Sequence, residues 1–124
     1  MREIGSCLAD RRILVVEDEA MIAMLIEDIL ESVGARVIGL AATVDEALAA
    51  IERERPDAVT LDGNLNDEMS GPVAARLSEL NVPFLLVTGY VDRTLADAQL
   101  ARAPRLEKPF TTTTLLRAAA AHLC

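Results

Sequence analysis

Three carboxylates, a hydroxyl and an amine stand at the ends of apolar runs in this 124-residue chain: Glu17 and Asp18, Asp62, Thr88 and Lys108. Carboxylates that share a pocket repel, and in isolation at least one is driven to protonate. A divalent cation relieves that repulsion, and hard oxygen ligands with positions left for water suit Mg²⁺. A cation beside Asp62 would also screen an incoming anionic group. Phosphoryl transfer asks mainly for positioning and charge stabilisation, which Mg²⁺, an ammonium and a hydroxyl supply. A carboxylate nucleophile that forms an acyl phosphate is established chemistry for such a set.

Taken singly, none of these residues says much. Asp62 after a strand fits a turn cap, and Glu17 and Asp18 fit the acidic start of a helix. Thr88 is an ordinary strand-end residue and Lys108 an ordinary solvated one. Tyr90 suits packing as readily as switching. Met21 and Met24 read as core filler, and His122, the only histidine, reads as a cation near a helix end with no further role. The case rests on where the elements bring these residues.

Ile13-Leu14-Val15-Val16 is a short continuous apolar run, the mark of a strand buried on both faces, and it stops at Glu17-Asp18-Glu19. A helix follows, with Ile22, Leu25, Ile26, Ile29 and Val33 expected on its buried face and Gly34 closing it. Arg36 to Leu40 reads as a second strand. Thr43 and Glu46 then form a capping box for a helix that buries Val44, Ala47, Leu48 and Ile51. Pro56 ends that helix, and Ala58-Val59-Thr60-Leu61 is a third strand ending on Asp62. A polar loop, Gly63 to Ser70, leads to a helix with Pro72 in its first turn and Val73, Leu77 and Leu80 inside. Phe84-Leu85-Leu86-Val87 is a fourth strand ending on Thr88-Gly89. A weakly amphipathic segment, Asp92 to Ala103, precedes a short fifth strand at Leu106, which ends at Lys108-Pro109. A last helix runs from about Thr111 to Leu123.

Alternating strands and helices predict an α/β fold, a parallel sheet with helices on both faces. Ligands of such sheets bind beyond the carboxyl ends of the strands, at the topological switch point. All five residues sit at those ends and should converge on one rim.

Bulk properties agree. A length of 124 residues suits one domain, taken here as 1–124, and 52% hydrophobic content suits a packed core. A net charge of −8 argues against nonspecific binding to nucleic acid or to an anionic membrane surface. No apolar run is long enough to span a bilayer, and the N-terminus lacks the features of a signal peptide. Cys7 and Cys124 match no metal spacing, so both read as free thiols in a reducing compartment, with the cytoplasm as the expected address.

Val15-Val16-Glu17-Asp18-Glu19, Leu61-Asp62-Gly63-Asn64-Leu65, Val87-Thr88-Gly89-Tyr90 and Glu107-Lys108-Pro109-Phe110 strongly resemble the four signature stretches of bacterial response-regulator receiver domains. The resemblance runs from about Arg12 to His122. It implies a flavodoxin-like, doubly wound, five-stranded parallel sheet in the order 2-1-3-4-5. It implies Asp62 as the phosphoacceptor, with Asp18 and Asp62 ligating Mg²⁺ through side chains and Asn64 through its backbone carbonyl. Glu17 would hold the metal directly or through water. Thr88 would bond a phosphoryl oxygen, Lys108 would pair with the phosphoryl group, and Tyr90 stands where the family carries an aromatic switch residue. The Lys108–Pro109 bond is expected to be cis. The stretch Pro83 to Tyr90 also resembles that of stand-alone receivers named for a Phe-Ala-Thr-Gly-Tyr type motif, although Leu86 and Val87 replace the Phe-Ala pair and no glycine follows Tyr90.

The resemblance makes the chain a signalling phosphoacceptor rather than an enzyme. Its donor would be a histidine kinase or a phosphotransfer protein, its output an unknown downstream protein, its state a monomer or weak dimer. With no output module expected, it would act by docking, as a phosphoryl sink or relay, or as part of a longer protein. Phosphorylation should act most on the segment from Asp92 to Ala103, which has few large apolar residues. Two other readings are open. A Mg²⁺-dependent phosphohydrolase with an aspartyl nucleophile usually needs a second Asp two residues on, where Asn64 stands. A flavodoxin-like cofactor binder needs a phosphate loop after the first strand, where Glu17-Asp18-Glu19 would repel a phosphate.

Overall fold

The computed structural model describes residues 6–89 and 98–124. Five strands form one parallel sheet: β1 (Arg12–Val16), β2 (Arg36–Ala41), β3 (Ala58–Leu61), β6 (Phe84–Thr88) and β7 (Arg105–Glu107). The order β2-β1-β3-β6-β7 is the 2-1-3-4-5 arrangement, with the switch point between β1 and β3. The helices are α1 (Ala20–Glu31), α2 (Val44–Glu54), α3 (Gly71–Glu79), a short α4 (Ala98–Ala101) and α5 (Thr112–His122).

Side chains alternate along each strand, so the sheet feeds two cores. Ile13 and Val15 of β1 join Leu85 and Val87 of β6 beneath α1 and α5. Leu14 and Val16 join Val59, Leu61 and Leu86 beneath α2, α3 and Leu100 of α4. Small residues such as Ala47 and Ala74 bring the helices close to the strands, which is how a chain with three aromatic residues still buries a dense core. The Thr43 hydroxyl accepts the Glu46 amide at 3.0 Å, but Glu46 reaches back to the Ala42 amide rather than to Thr43, so only half of the expected capping box forms.

Three sequence expectations are corrected. The buried face of α1 is Ala23, Ile26, Ile29 and Leu30, with Ile22 and Val33 packed at its edge, so of the expected row only Leu25 is outside, at 48% exposure. Met21 and Met24 are not core filler, because they are 85% and 55% exposed on the same outer face. Cys7 and Cys124 are not free thiols, because they form a disulfide between the chain ends across 117 residues. That bond lies beside a short 3₁₀ turn at Ser6–Leu8, whose Leu8 shares the α5 core with Leu123. The Arg11 guanidinium closes the same corner by donating to the Leu123 carbonyl at 2.8 and 3.0 Å. The free-thiol argument for a reducing compartment therefore falls. Among the described residues no helix is long and apolar enough to cross a membrane. Tyr90 and half of the weakly amphipathic segment, residues 92–97, lie outside the described residues.

The predicted polar loop is partly regular. Asn64–Leu65 (β4) and Glu68–Met69 (β5) form a small antiparallel hairpin around a two-residue turn, Asn66-Asp67. Both turn residues are left-handed, with φ of 52° and 66°. That is the conformation such turns require, and Asn and Asp tolerate it.

Candidate functional site

Parallel register sets the rim. Val16 pairs with Leu61, so Glu17 and Asp62 emerge side by side at the ends of β1 and β3. Leu61 pairs with Leu86 and Thr88 with Glu107, which brings Thr88 and the start of the Lys108 loop to the same edge. The Lys108 amide donates to the Thr88 carbonyl at 3.0 Å, and the Lys108–Pro109 peptide bond is cis. Glu17, Asp62 and Thr88 are all buried, at 3%, 6% and 2% exposure.

One oxygen from each of Glu17, Asp18 and Asp62 lies within 4.8 Å of the others, a spacing that suits a single small cation. All are hard oxygen donors and the cluster is anionic, which fits Mg²⁺ better than a soft metal. The hairpin adds to this set. The Ser70 amide donates to the Gly63 carbonyl at 3.0 Å, and antiparallel ladders alternate bonded with non-bonded pairs. The pair Asn64–Met69 is therefore of the non-bonded kind, and the Asn64 N–H and C=O face away from the hairpin. The N–H meets Asp62 Oδ1 at 3.1 Å, so the Asn64 backbone faces Asp62.

Lys108 places an ammonium between two of these carboxylates. Its Nζ donates to Glu17 Oε1 at 2.7 Å and to Asp62 Oδ2 at 3.1 Å. Burial opposes its charge, but the bonds and charges of Glu17 and Asp62 outweigh that and hold its pKa above the usual lysine value. One ammonium does not fully compensate two buried carboxylates. Burial, with the charge of Asp62 added, pushes Glu17 up to about 8 against the bond from Lys108. Asp18 is more exposed and behaves differently. Its burial cost is outweighed by the amide of Asn66, donating to Oδ2 at 3.0 Å, and by the Lys108 charge, and its pKa is lowered.

The structure thus brings together Glu17, Asp18, Asp62, Thr88 and Lys108, with the Asn64 backbone beside them, whereas Tyr90 lies outside the described residues. Sequence reasoning missed two backbone donors, the Glu19 amide on Glu17 Oε2 at 3.1 Å and the Asn66 amide on Asp18. The Asn-Asp pair at 66–67 was the available signal for the second.

Comparison with known proteins agrees with this geometry. The family profile of the response regulator receiver domain matches residues 13–120. The phyllosphere-induced regulator PhyR of Methylorubrum extorquens is 38% identical over 112 residues, covering 88% of this chain and 42% of that protein. The crystal structure of the response regulator PhyR from Brucella abortus superposes with a TM-score of 0.80 at 30% identity, covering 96% of this chain and 51% of that one. The solution structure of SdrG from Sphingomonas melonis gives a TM-score of 0.78 at 42% identity, covering 90% of this chain and 94% of that one. The chain therefore spans less than half the length of the curated relative and nearly all of SdrG.

Proposed function

This chain belongs to the response regulator receiver domain family, and on that premise we propose that it accepts a phosphoryl group on Asp62 from a histidine kinase or a phosphotransfer protein. The observation that carries the proposal is the cluster of Glu17, Asp18 and Asp62 with Lys108 bonded across it. Mg²⁺, held by Asp18, Asp62 and the Asn64 carbonyl with Glu17 directly or through water, would supply charge stabilisation for the transferring group.

The side chains divide the remaining work. Asp62 Oδ2, now bonded to Lys108, is the oxygen the ammonium can orient for attack or follow onto a phosphoryl oxygen. Glu17 would help hold the cation, directly or through water, and the Lys108 ammonium it now accepts from would then be available to the new anion. Thr88 is buried at the end of β6 and donates its hydroxyl to a phosphoryl oxygen, and Tyr90 takes the space that movement leaves. The phosphorylated state is read by a downstream protein. The chain assists only its own phosphorylation and dephosphorylation, acts as a single domain and remains a monomer or weak dimer. Its net charge of −8 argues against a nucleic-acid or membrane partner. The cytoplasmic address now rests on the phosphoryl donor.

An exposed apolar strip, Met21, Met24 and Leu25, continues into a groove lined by Ile22, Lys108, Pro109 and Phe110 at the mouth of the site. A donor seated there would place its phosphoryl group beside Asp62, and this strip supports the choice of a protein donor.

Beryllofluoride with Mg²⁺ mimics the phosphorylated aspartate. Bound fluorine resonances are expected on the native chain and not on Asp62→Asn. A native chain without bound signal at saturating Mg²⁺ would remove the proposal.

A further inference from the structure

The hairpin β4–β5 does more than connect β3 to α3. The amide of Asn64 lies on its outer edge, and the amide of Asn66 stands at its left-handed turn. One donates to Asp62 and the other reaches across 48 residues of sequence to Asp18. Two of the three clustered carboxylates are thus held by amides of one hairpin, one on its strand and one at its turn. Backbone donors to an ionised carboxylate make charge-assisted bonds, stronger than bonds between neutral groups.

We propose that the Asn66-Asp67 turn is a positioning element for the cation site, whose left-handed geometry aims the Asn66 amide at Asp18 and so fixes the orientation of that ligand. The proposal deepens the function given above and rests on it. The sequence dependence is specific. Both turn residues sit at positive φ, where Gly, Asn and Asp are tolerated and β-branched residues are strongly disfavoured. The bond uses the backbone of Asn66, so the identity of its side chain matters only through the turn. Groups that orient a metal ligand from outside typically contribute about 10–100-fold to metal affinity when lost.

Two substituted chains separate this role from a purely structural one. Asn66→Gly with Asp67→Gly keeps the turn and the amide, whereas Asn66→Val with Asp67→Val disfavours the turn. Calorimetric titration with Mg²⁺ should give native affinity for the glycine pair and about tenfold weaker binding for the valine pair. Urea unfolding without metal reports the structural cost of each pair separately. Native affinity in the folded valine pair would overturn the proposal. If the native chain itself fails to bind Mg²⁺, the phosphoacceptor reading fails, and a metal-free measurement still decides the hairpin's role. The Asn66 amide, at a turn tip, should be protected from hydrogen exchange in the native chain and lose that protection in Asp18→Ala. Equal exchange in the two would show that the amide does not hold Asp18.

Discussion

Reducing the Cys7–Cys124 disulfide should lower the unfolding free energy by about 4 kcal/mol, because it opens a loop of 117 residues in the unfolded chain. The effect acts mainly on the denatured ensemble, whose ends are no longer held together, so native contacts at the same corner do not cancel it. Leu8, Leu123 and the Arg11 bonds to Leu123 keep the folded termini adjacent in either redox state. The reduced protein should therefore keep its fold while its stability falls. A small domain has only about 5–15 kcal/mol in total, so the change is a large fraction of it. Urea unfolding with and without dithiothreitol measures the difference. Cys7→Ser with Cys124→Ser should match the reduced protein under both conditions. Two reactive thiols in the untreated protein, with no shift on reduction, would show that the bond does not form.

The metal-free protein should lose stability as pH rises from about 5 to 8.5. The unfolded Glu17 titrates near 4.5, whereas the folded one is pushed up to about 8. Between these values the folded state holds a proton that the unfolded state has released, so the slope of stability with pH is negative. Asp18, with its lowered pKa, has the opposite sign, but its contribution lies in acid, below its unfolded value of 3.8. Lys108 has a raised pKa, and its contribution is lost only above 10.5, beyond the same window. The net loss is on the order of 4–5 kcal/mol, at about 1.4 kcal/mol for each pH unit across the window. Unfolding in EDTA, followed by circular dichroism at several pH values, tests it. Glu17→Gln should flatten the profile, and saturating Mg²⁺ should offset the loss by stabilising the ionised carboxylate. A level profile for the native protein would show that Glu17 ionises normally in the fold.

Much of the fold was legible because the strands are buried on both faces. Ile13 to Val16 and Phe84 to Val87 are continuous apolar runs, Ala58 to Leu61 is broken only by Thr60, and the sheet uses all three at nearly those bounds. Convergence of Glu17, Asp62, Thr88 and Lys108 followed from the topology alone. The face of α1 was misread at Leu25, because overlapping rows satisfy helical spacing. Ala23 and Leu30 join Ile26 and Ile29 against the sheet, and Leu25 is left outside. The hairpin escaped notice because two-residue strands carry no periodicity, and only Asn66-Asp67 marks it. The disulfide escaped because residues 117 apart give no local sign that the termini meet. The Lys108 bond to Glu17 was not foreseen either, since residues 91 apart give no local sign of a contact.

These features share one consequence. Lys108, the Glu19 amide and the two hairpin amides prearrange a set of carboxylates that would otherwise disperse. The most direct test of that arrangement's purpose is an intact mass after incubation with Mg²⁺ and acetyl phosphate, beside Asp62→Asn treated alike. The expected result is one added phosphoryl group on the native chain and none on the substituted one. No adduct on a native chain that binds Mg²⁺ and gives no beryllofluoride signal, or an equal adduct on Asp62→Asn, would contradict Asp62 as the acceptor.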